Sequence, residues 1–268
     1  MSLFICATCG TQYPESDQPP AECPICVDDR QYVHPDGQRW TTLEDLRPHF
    51  KNVIAEVEPG LHRIKSEPKV ALGQQAFLIQ TPHGNVLWDC ITLIDAATVE
   101  AINRLGGVQA IAVSHPHYHS AIVEWSHAFD HAPIYLHADH RDWVLRPDPA
   151  VVLWEGEQLA LWDGVTIIRC GGHFPGSTVL HWRAGADGRG VLLTGDTIDI
   201  GADSRYMSFM YSYPNMIPLS AAKIRQIVRA VEPFDFDRMY EAFGQVTGHD
   251  AKAGLLFSAE RYIRAITD

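Results

Sequence analysis

The sequence lacks the features that would place the protein in a membrane or direct it across one. It has no apolar run of roughly 18 residues, the length that a membrane-spanning helix needs. Its first residues, MSLFICATCG, show no basic segment followed by an apolar one, as a secretory signal peptide would. Low-complexity tracts and short internal repeats are missing too. We therefore expect a cytoplasmic protein that binds no membrane.

Basic residues are also scarce. Lys and Arg together number 21 against 33 Asp and Glu, which gives a formal net charge of −12. A chain of that sign repels the phosphates of nucleic acids and of anionic lipids. We therefore expect a small-molecule substrate and no nucleic acid partner.

The rest of the composition is that of a chain with a packed core, because 46% of the residues are hydrophobic and 20% are charged. The length of 268 residues predicts a little under two domains, at roughly 150 residues each. Against this ordinary background the 14 histidines and 6 cysteines stand out. These two residue types carry the chemical signals of the sequence.

Four of the cysteines form two C-x2-C pairs near the start of the chain, Cys6 with Cys9 and Cys23 with Cys26. Each pair lets one tight turn direct two thiolates at one ion. Four thiolates predict a closed, tetrahedral, structural Zn²⁺ site, whose metal supplies most of the folding energy of this Pro- and Asp-rich segment. Two disulfides in a secreted chain are the alternative, which the missing signal peptide disfavours.

The cysteine pairs resemble those of zinc ribbons, and their neighbours Gly10 and Pro24 also resemble rubredoxin. Rubredoxins space their pairs more widely and have Gly after the second pair, where this chain has Val27, so zinc is expected. Residues 1–36 contain a single basic residue, Arg30, against six acidic ones, the wrong balance for phosphate contact. We therefore predict a structural module, or a surface for protein docking or homo-oligomer formation.

Changes in composition predict three regions. Residues 1–36 form the zinc ribbon, and residues 37–60 form a linker or packing arm that is polar, broken by prolines, and helical around 42–50. From 61 to 268, strand patterns alternate with helical ones, twice over. This order predicts the α/β (α+β) class, with two sheets packed together and helices outside, as a four-layer αββα sandwich.

The densest chemical signal follows an apolar strand pattern at 109–113. His115, His117 and His119 alternate along the next residues, and in an extended segment alternating side chains share one face. His173 and Asp196 also follow strand patterns. A lone His or Asp there is as typical of a turn or a helix cap, but together the five predict one metal site. Imidazoles with a carboxylate suit Zn²⁺, Fe or Mn and leave a position for water.

These residues resemble the motifs of the metallo-β-lactamase-fold hydrolases over residues 61–268. That family follows a strand with H-x-H-x-D-H, then has a Gly-His-x-x-Gly loop, a Gly-Asp pair and a final His. The resemblance implies the αββα fold. It also implies that His115, His117, His173 and Asp196 bind a catalytic metal ion.

The resemblance is incomplete at the family's second metal ion. Where the family has Asp and His, this chain has His119 and Ser120, and no His stands at the final position. One ion is therefore expected rather than two, although a second site from His119, Asp196 and His249 stays open. His249 is better explained as the neighbour of a helix N-cap at Asp250 than as a ligand. Asp89, at a strand end, matches a family residue that supports the site through hydrogen bonds.

The resemblance implies a hydrolase that uses a metal-bound hydroxide on a small ester, lactone, thioester or amide. Asp196 and His119 are the expected catalytic residues, with His119 accepting or relaying a proton. Two alternatives stay open: a mononuclear non-haem iron or rubredoxin-linked redox protein of the same fold, and a catalytically degenerate binding protein. The aromatic and Met-rich segment 206–214 is expected either to wall the substrate pocket or to pack on the ribbon.

Overall fold

The computed structural model of the protein describes residues 1–162 and 164–267. These residues form two compact units. The first unit contains residues 1–136 and 141–153, and the second contains residues 137–140 and those from 154 onward. Each unit is organised around its own main β-sheet.

The first unit begins with a small module of short elements. They are β1 (Ile5–Cys6), α1 (Pro24–Val27), β2 (Trp40–Thr41) and α2 (Leu43–Leu46). Strands β1 and β2 pair antiparallel. The buried core of the module consists of the four cysteines with Tyr13 and Ile25.

A seven-stranded sheet follows, with its strands side by side in chain order. The elements are β3 (Lys51–Glu58), β4 (Leu61–Glu67), β5 (Ala76–Ile79), β6 (Val86–Trp88), α3 (Ala96–Arg104), β7 (Ala110–Ala112), α4 (Ile122–Ala128), β8 (Ile134–His137) and β9 (Val151–Trp154). Strands β3 to β6 are antiparallel. Strands β6, β7 and β8 are parallel, and α3 and α4 are the crossovers between them. The carboxyl ends of these parallel strands therefore meet at one edge.

Strand β3 lies where the sequence predicts a linker or packing arm. It pairs with β4 from Lys51, opposite Glu67, to Glu58, opposite Leu61. Most of its residues are exposed or half-buried, as expected for a strand at the edge of a sheet. Such a strand has only a weak apolar pattern, which is why the sequence does not reveal it. The helix predicted around 42–50 is the single turn α2. The region boundaries at 36 and 60 stay predictions.

The second unit is built on a five-stranded sheet with the order β10-β11-β12-β13-β18. Its elements are β10 (Gln158–Trp162), β11 (Val165–Arg169), β12 (Thr178–Trp182), α5 (Gly185–Gly188), β13 (Val191–Leu193), β14 (Asp199–Ile200), β15 (Met207–Ser208), β16 (Met210–Ser212), β17 (Ile217–Pro218), α6 (Ala221–Val231), β18 (Arg238–Tyr240) and α7 (Ala251–Thr267). Strands β13 and β18 are parallel neighbours, so the residues that follow them lie at one edge of this sheet.

Helices α6 and α7 cover an apolar core in the second unit. Helix α6 has the predicted bounds: the Ser220 hydroxyl accepts a hydrogen bond from the Lys223 backbone N–H, and Ile224 and Ile227 are buried. Residues Ala138–Trp143 form a 3-10 helix. Among residues 1–162 and 164–267, no helix combines the length and apolar character that a bilayer crossing needs.

Candidate metal centres

The four cysteines of the N-terminal module converge on one point. Their sulfur atoms all lie within 4.8 Å of one another, and all four residues are buried. Sγ of Cys6 lies 3.5 Å from Sγ of Cys26, and Sγ of Cys9 lies 3.6 Å from Sγ of Cys23. Thiolates about 2.3 Å from a tetrahedral zinc ion are about 3.8 Å apart, whereas disulfide sulfurs are about 2.05 Å apart. The cluster therefore fits a single metal ion and not two disulfides.

The surroundings of the cluster favour thiolate chemistry. The Gln38 side-chain amide donates a hydrogen bond of 3.1 Å to Sγ of Cys6. Hydrogen bonds from the other thiols, first from Cys23, lower the pKa of Cys6, whereas burial raises the pKa of Cys9. The hydrogen bonds therefore favour a thiolate at Cys6, whereas burial opposes one at Cys9.

The first part of the histidine site follows β7 at the carboxyl edge of the seven-stranded sheet. Asp89 follows the neighbouring parallel strand β6, and its Oδ1 accepts a hydrogen bond of 2.7 Å from the Ser114 backbone N–H. The Ser114 hydroxyl lies 2.9 Å from Nδ1 of His115. Asp89 is thus placed, as predicted, to support the site through hydrogen bonds, since it fixes the residue that contacts His115.

The histidine segment is not extended, so the predicted alternation of side chains on one face is wrong. His115 is extended, with φ −168° and ψ 173°, but Pro116–Tyr118 form a 3-10 turn. Pro116 stands at the first position of that turn, where its fixed φ and missing N–H suit a helix start as well as an extended strand. The rings of His115 and His117 nevertheless lie edge to face, with 4.9 Å between their centroids.

His119 is oriented by a backbone carbonyl. Its Nδ1 lies 3.0 Å from the carbonyl oxygen of Trp143. A carbonyl only accepts, so Nδ1 donates, and the lone pair of the neutral ring is on Nε2. Burial is the main reason that the pKa of His119 falls to about 4, against the Trp143 hydrogen bond, which raises it. The ring is therefore neutral near pH 7.

His173 lies in the loop after β11, as predicted. The preceding residues Gly171 and Gly172 have φ values of 66° and 87°, which residues other than glycine rarely adopt. A Cβ on Gly172 would lie 2.8 Å from Cδ1 of Ile227 in α6, so the loop also needs glycine to approach that helix. Nδ1 of His173 donates to the Met210 carbonyl at 3.2 Å, which fixes the orientation of the ring.

Asp196 follows β13, and its backbone is held from two sides. The Tyr213 hydroxyl donates a hydrogen bond of 2.9 Å to the Asp196 carbonyl oxygen. Within the same turn, the Thr194 hydroxyl donates to the Ile198 carbonyl at 2.7 Å. The side chain of Asp196 is therefore presented from a fixed turn at the carboxyl end of a buried strand.

The aromatic and Met-rich segment 206–214 contributes to this support. Met207 and Phe209 are buried in the core that α6 and α7 cover. Met210 and Tyr213 make the hydrogen bonds to His173 and Asp196 already described. In the second unit this segment thus supports two candidate ligands through hydrogen bonds. The sequence pattern does not indicate this role, because it depends on contacts between residues that are distant in sequence.

Glu241 is a buried carboxylate that the sequence pattern also did not single out. It follows β18, the parallel neighbour of the strand before Asp196. Burial is the main cause that raises the pKa of Glu241 to about 7, and the charges of Asp199 and Asp196 add to it. Its carboxylate accepts hydrogen bonds from the backbone N–H groups of Phe243, at 2.7 Å, and Gln245. Glu241 therefore stands near where the family motif has its final His, and it closes a turn there.

Three of the histidines and one carboxylate form the second group of candidate ligands. Each of His115, His117, His173 and Asp196 offers one ligand atom, these atoms lie within 4.8 Å of one another, and all four residues are buried. Three imidazoles with one carboxylate fit a divalent cation such as zinc, iron or manganese. The donor set and its burial therefore agree with a metal site.

Two histidines considered from the sequence are outside that group. His119 is not among the four clustered residues, and its predicted roles as ligand and catalyst stay predictions. His249 is exposed, and its Nδ1 lies 3.1 Å from Oδ2 of Asp237. It precedes α7 by two positions, as expected for a neighbour of the helix N-cap.

No protein-family model matches the chain. It is 51% identical over 268 residues to the Bacillus subtilis (strain 168) protein YmaE, described as uncharacterized, and the match covers 99% of this chain and 97% of that one. The metallo-β-lactamase DIM-1 has a similar structure, with a TM-score of 0.62 and 14% identity, over 81% of this chain and 99% of that one. The metallo-β-lactamase FIM-1 from Pseudomonas aeruginosa, in its mono-zinc form, has a TM-score of 0.56 and 15% identity, over 78% of this chain and 95% of that one.

At 14% and 15% identity, the two solved structures bear on the fold alone. They confirm the predicted mixed α/β fold, and the four-cysteine cluster agrees with the predicted zinc ribbon. The identity to YmaE along nearly the whole chain extends the relationship beyond the fold. The protein is thus a member of the YmaE family, with a metallo-β-lactamase fold and an N-terminal four-cysteine module.

Proposed function

We propose that the protein is a metal-dependent hydrolase of a small ester, lactone, thioester or amide. The observation that carries the proposal is the group of four buried ligand atoms, from His115, His117, His173 and Asp196, within 4.8 Å of one another on this fold. Three imidazoles favour zinc, because the common mononuclear iron site of oxygenases has two imidazoles and a carboxylate.

A single ion at this group is the stoichiometry that we propose. Where the family has Asp and His, this chain has His119 and Ser120, so an imidazole of the second metal site is replaced by a hydroxyl. The Gln74 side-chain amide donates a hydrogen bond of 3.2 Å to the Ser120 hydroxyl, and Nδ1 of His119 donates to the Trp143 carbonyl. The mono-zinc form of FIM-1 is a structural precedent for one ion in this fold.

The chain's own residues would orient the reaction. A bound divalent cation supplies Lewis-acid chemistry, since it lowers the pKa of water and polarises a carbonyl group. Hydrogen bonds at Nδ1 of His173 and His115 fix the orientation of these rings. We assign to His119 the role of accepting or relaying a proton, because it follows His117 by two residues and the Trp143 carbonyl fixes the orientation of its ring.

The charge around Asp196 supports a neutral substrate. The pKa of Asp199 is raised to about 6, mainly by burial and then by Asp196, so these carboxyl groups are close enough to repel each other. Glu241 adds a third acidic group. An acidic surrounding repels polyanions, which agrees with the proposed small-molecule substrate and with no nucleic acid partner.

Cytoplasmic localisation and the partners of the N-terminal module belong to the same proposal. Four cysteines that bind a metal as thiolates require a reducing compartment, which supports the cytoplasm. The excess of acidic residues in 1–36 supports a structural or protein-docking role, including contact with a second copy of the chain.

The test combines metal analysis with a substrate panel. We expect the full chain to contain two zinc ions, and Asp196→Ala to lose one of them together with turnover of esters, lactones, thioesters or amides. The matched control is His83→Ala, because His83 is exposed in a turn. Iron with redox activity would replace the proposal with the redox alternative, and a fully metal-loaded protein without turnover on any panel member would favour a binding protein.

A further inference from the structure

The N-terminal module contacts the histidine segment through its backbone. The Gln12 N–H, three residues after Cys9, donates a hydrogen bond of 3.0 Å to the carbonyl oxygen of Ser120. The turn after Cys9 also contacts the segment that follows β6, where the Thr92 hydroxyl donates to the Gly10 carbonyl at 3.3 Å. A Cβ on Gly10 would lie 2.1 Å from the Thr92 hydroxyl oxygen, so glycine permits this approach.

A second contact joins the cysteine cluster to His119. The side chains of Trp143 and Leu145 pack against the buried core formed by the four cysteines and their neighbours. The carbonyl oxygen of the same Trp143 accepts the hydrogen bond from Nδ1 of His119. The residue that orients this ring is thus held in place by the core that the cysteines form.

A third contact reaches the helix that follows the histidines. The Arg146 guanidinium donates a hydrogen bond to Oε1 of Gln12, and the same nitrogen lies 2.8 Å from Oε1 of Glu124 in α4. The side chains of Arg146 and Glu124 are 16% and 25% exposed, so solvent screens this pair less than it screens an open surface pair.

From these three contacts we infer that the four-cysteine module is a positioning element of the histidine site. Metal binding by the thiolates fixes the backbone of residues 9–12 and the packing of Trp143. Gln12 and Trp143 in turn hold residues 119–124, the segment that follows His115 and His117. Occupation of the cysteine cluster therefore raises the metal affinity of the histidine group, and the coupling is reciprocal. This inference rests on the proposed cation at His115, His117, His173 and Asp196.

Cobalt titration of the full chain tests the coupling without any measurement of turnover. Thiolate-to-cobalt charge-transfer bands report the cysteine cluster, and paramagnetically shifted imidazole proton resonances report the histidine group, so the dissociation constant of each site is measured separately. We expect Cys23→Ser, which removes a thiolate ligand, to weaken cobalt binding at the histidine group about tenfold. Circular dichroism and thermal unfolding establish that the variant is folded.

Arg146→Ala provides the test if the cysteine variant does not fold, because it breaks a contact and leaves all ligands in place. It should weaken the histidine group several-fold, and Arg146→Lys should restore part of the affinity. The matched control is Arg39→Ala, since the Arg39 side chain pairs at 2.7 Å with exposed Asp36 in the same region of the chain. It should change neither constant.

The results separate this inference from the proposed function. If folded Cys23→Ser and Arg146→Ala both bind cobalt at the histidine group within twofold of the wild type, the positioning role is wrong although the metal site stands. If the wild-type histidine group binds no cobalt, zinc or iron, the proposed function fails first.

Discussion

Asp89→Ala should destabilise the protein and weaken its histidine site at the same time. Asp89 is 2% exposed, and its carboxylate accepts the 2.7 Å hydrogen bond from the backbone of Ser114. A buried N–H that loses a charged acceptor costs about 2 kcal/mol. Asp89 also has φ 59°, and an alanine in the left-handed region costs about 1 kcal/mol. The expected loss is therefore about 3 kcal/mol, the sum of these two terms.

Asp89→Asn is the matched control for this prediction. Its amide oxygen still accepts from Ser114, and asparagine tolerates a positive φ, so the loss should stay near 1 kcal/mol, about the difference between a charged and a neutral acceptor. Urea unfolding of the metal-free chain measures both variants, and a metal titration should show affinity falling roughly tenfold for alanine. Equal stability of the alanine variant and the wild type would show that the hydrogen bond from Ser114 to Asp89 does not stabilise the fold.

Three further predictions concern the second unit. Gly172→Ala should lower the free energy of unfolding, measured by thermal unfolding, by about 2 kcal/mol, because the φ of Gly172 is 87° and the new Cβ would lie 2.8 Å from a methyl group of α6. Gly188→Ala should lower it less, because Gly188 has a φ of 82° but open space around the new Cβ. Tyr213→Phe should leave the fold intact and weaken the histidine group several-fold in a metal titration, through the lost hydrogen bond of 2.9 Å; unchanged affinity would show that this bond does not position the ligand. The pKa of Glu241 is raised to about 7, so its ionisation removes stability as pH rises from about 4.5 to 7. In Glu241→Gln the free energy of unfolding should change less with pH over this range than in the wild type. The same pH dependence in both proteins would contradict the raised pKa of Glu241.

Local signals in the sequence were sufficient for some elements. Helix α6 has a Ser220 cap and a regular apolar pattern, so its bounds follow from residues within the helix. The four-cysteine cluster likewise follows from spacing alone, since C-x2-C turns bring pairs of sulfurs together regardless of the rest of the fold.

Other features depend on contacts that no local pattern contains. The chain around Pro116 forms a turn and is not extended. Proline is compatible with either conformation, so the hydrogen bonds within the turn determine which one forms. The support that Tyr213 gives to Asp196, and the support that the module gives to Ser120, join residues that are distant in sequence. Such contacts require the folded chain.

The pattern of candidate ligands illustrates both cases. The sequence predicts His173 and Asp196 as ligands because each follows an apolar strand pattern, and in the structure they follow β11 and β13. Glu241 follows a strand in the same way, but a carboxylate at that place has no counterpart in the family motif. Its burial and its hydrogen bonds to the following turn identify it only in three dimensions.

Anomalous diffraction from crystals of the full chain, recorded on both sides of the zinc absorption edge, would locate zinc at both clusters. We expect two peaks, one among the sulfur atoms of Cys6, Cys9, Cys23 and Cys26, and one from a single ion in contact with His115, His117, His173 and Asp196. An empty histidine group in zinc-loaded crystals, or an ion there bound by other residues, would contradict this expectation.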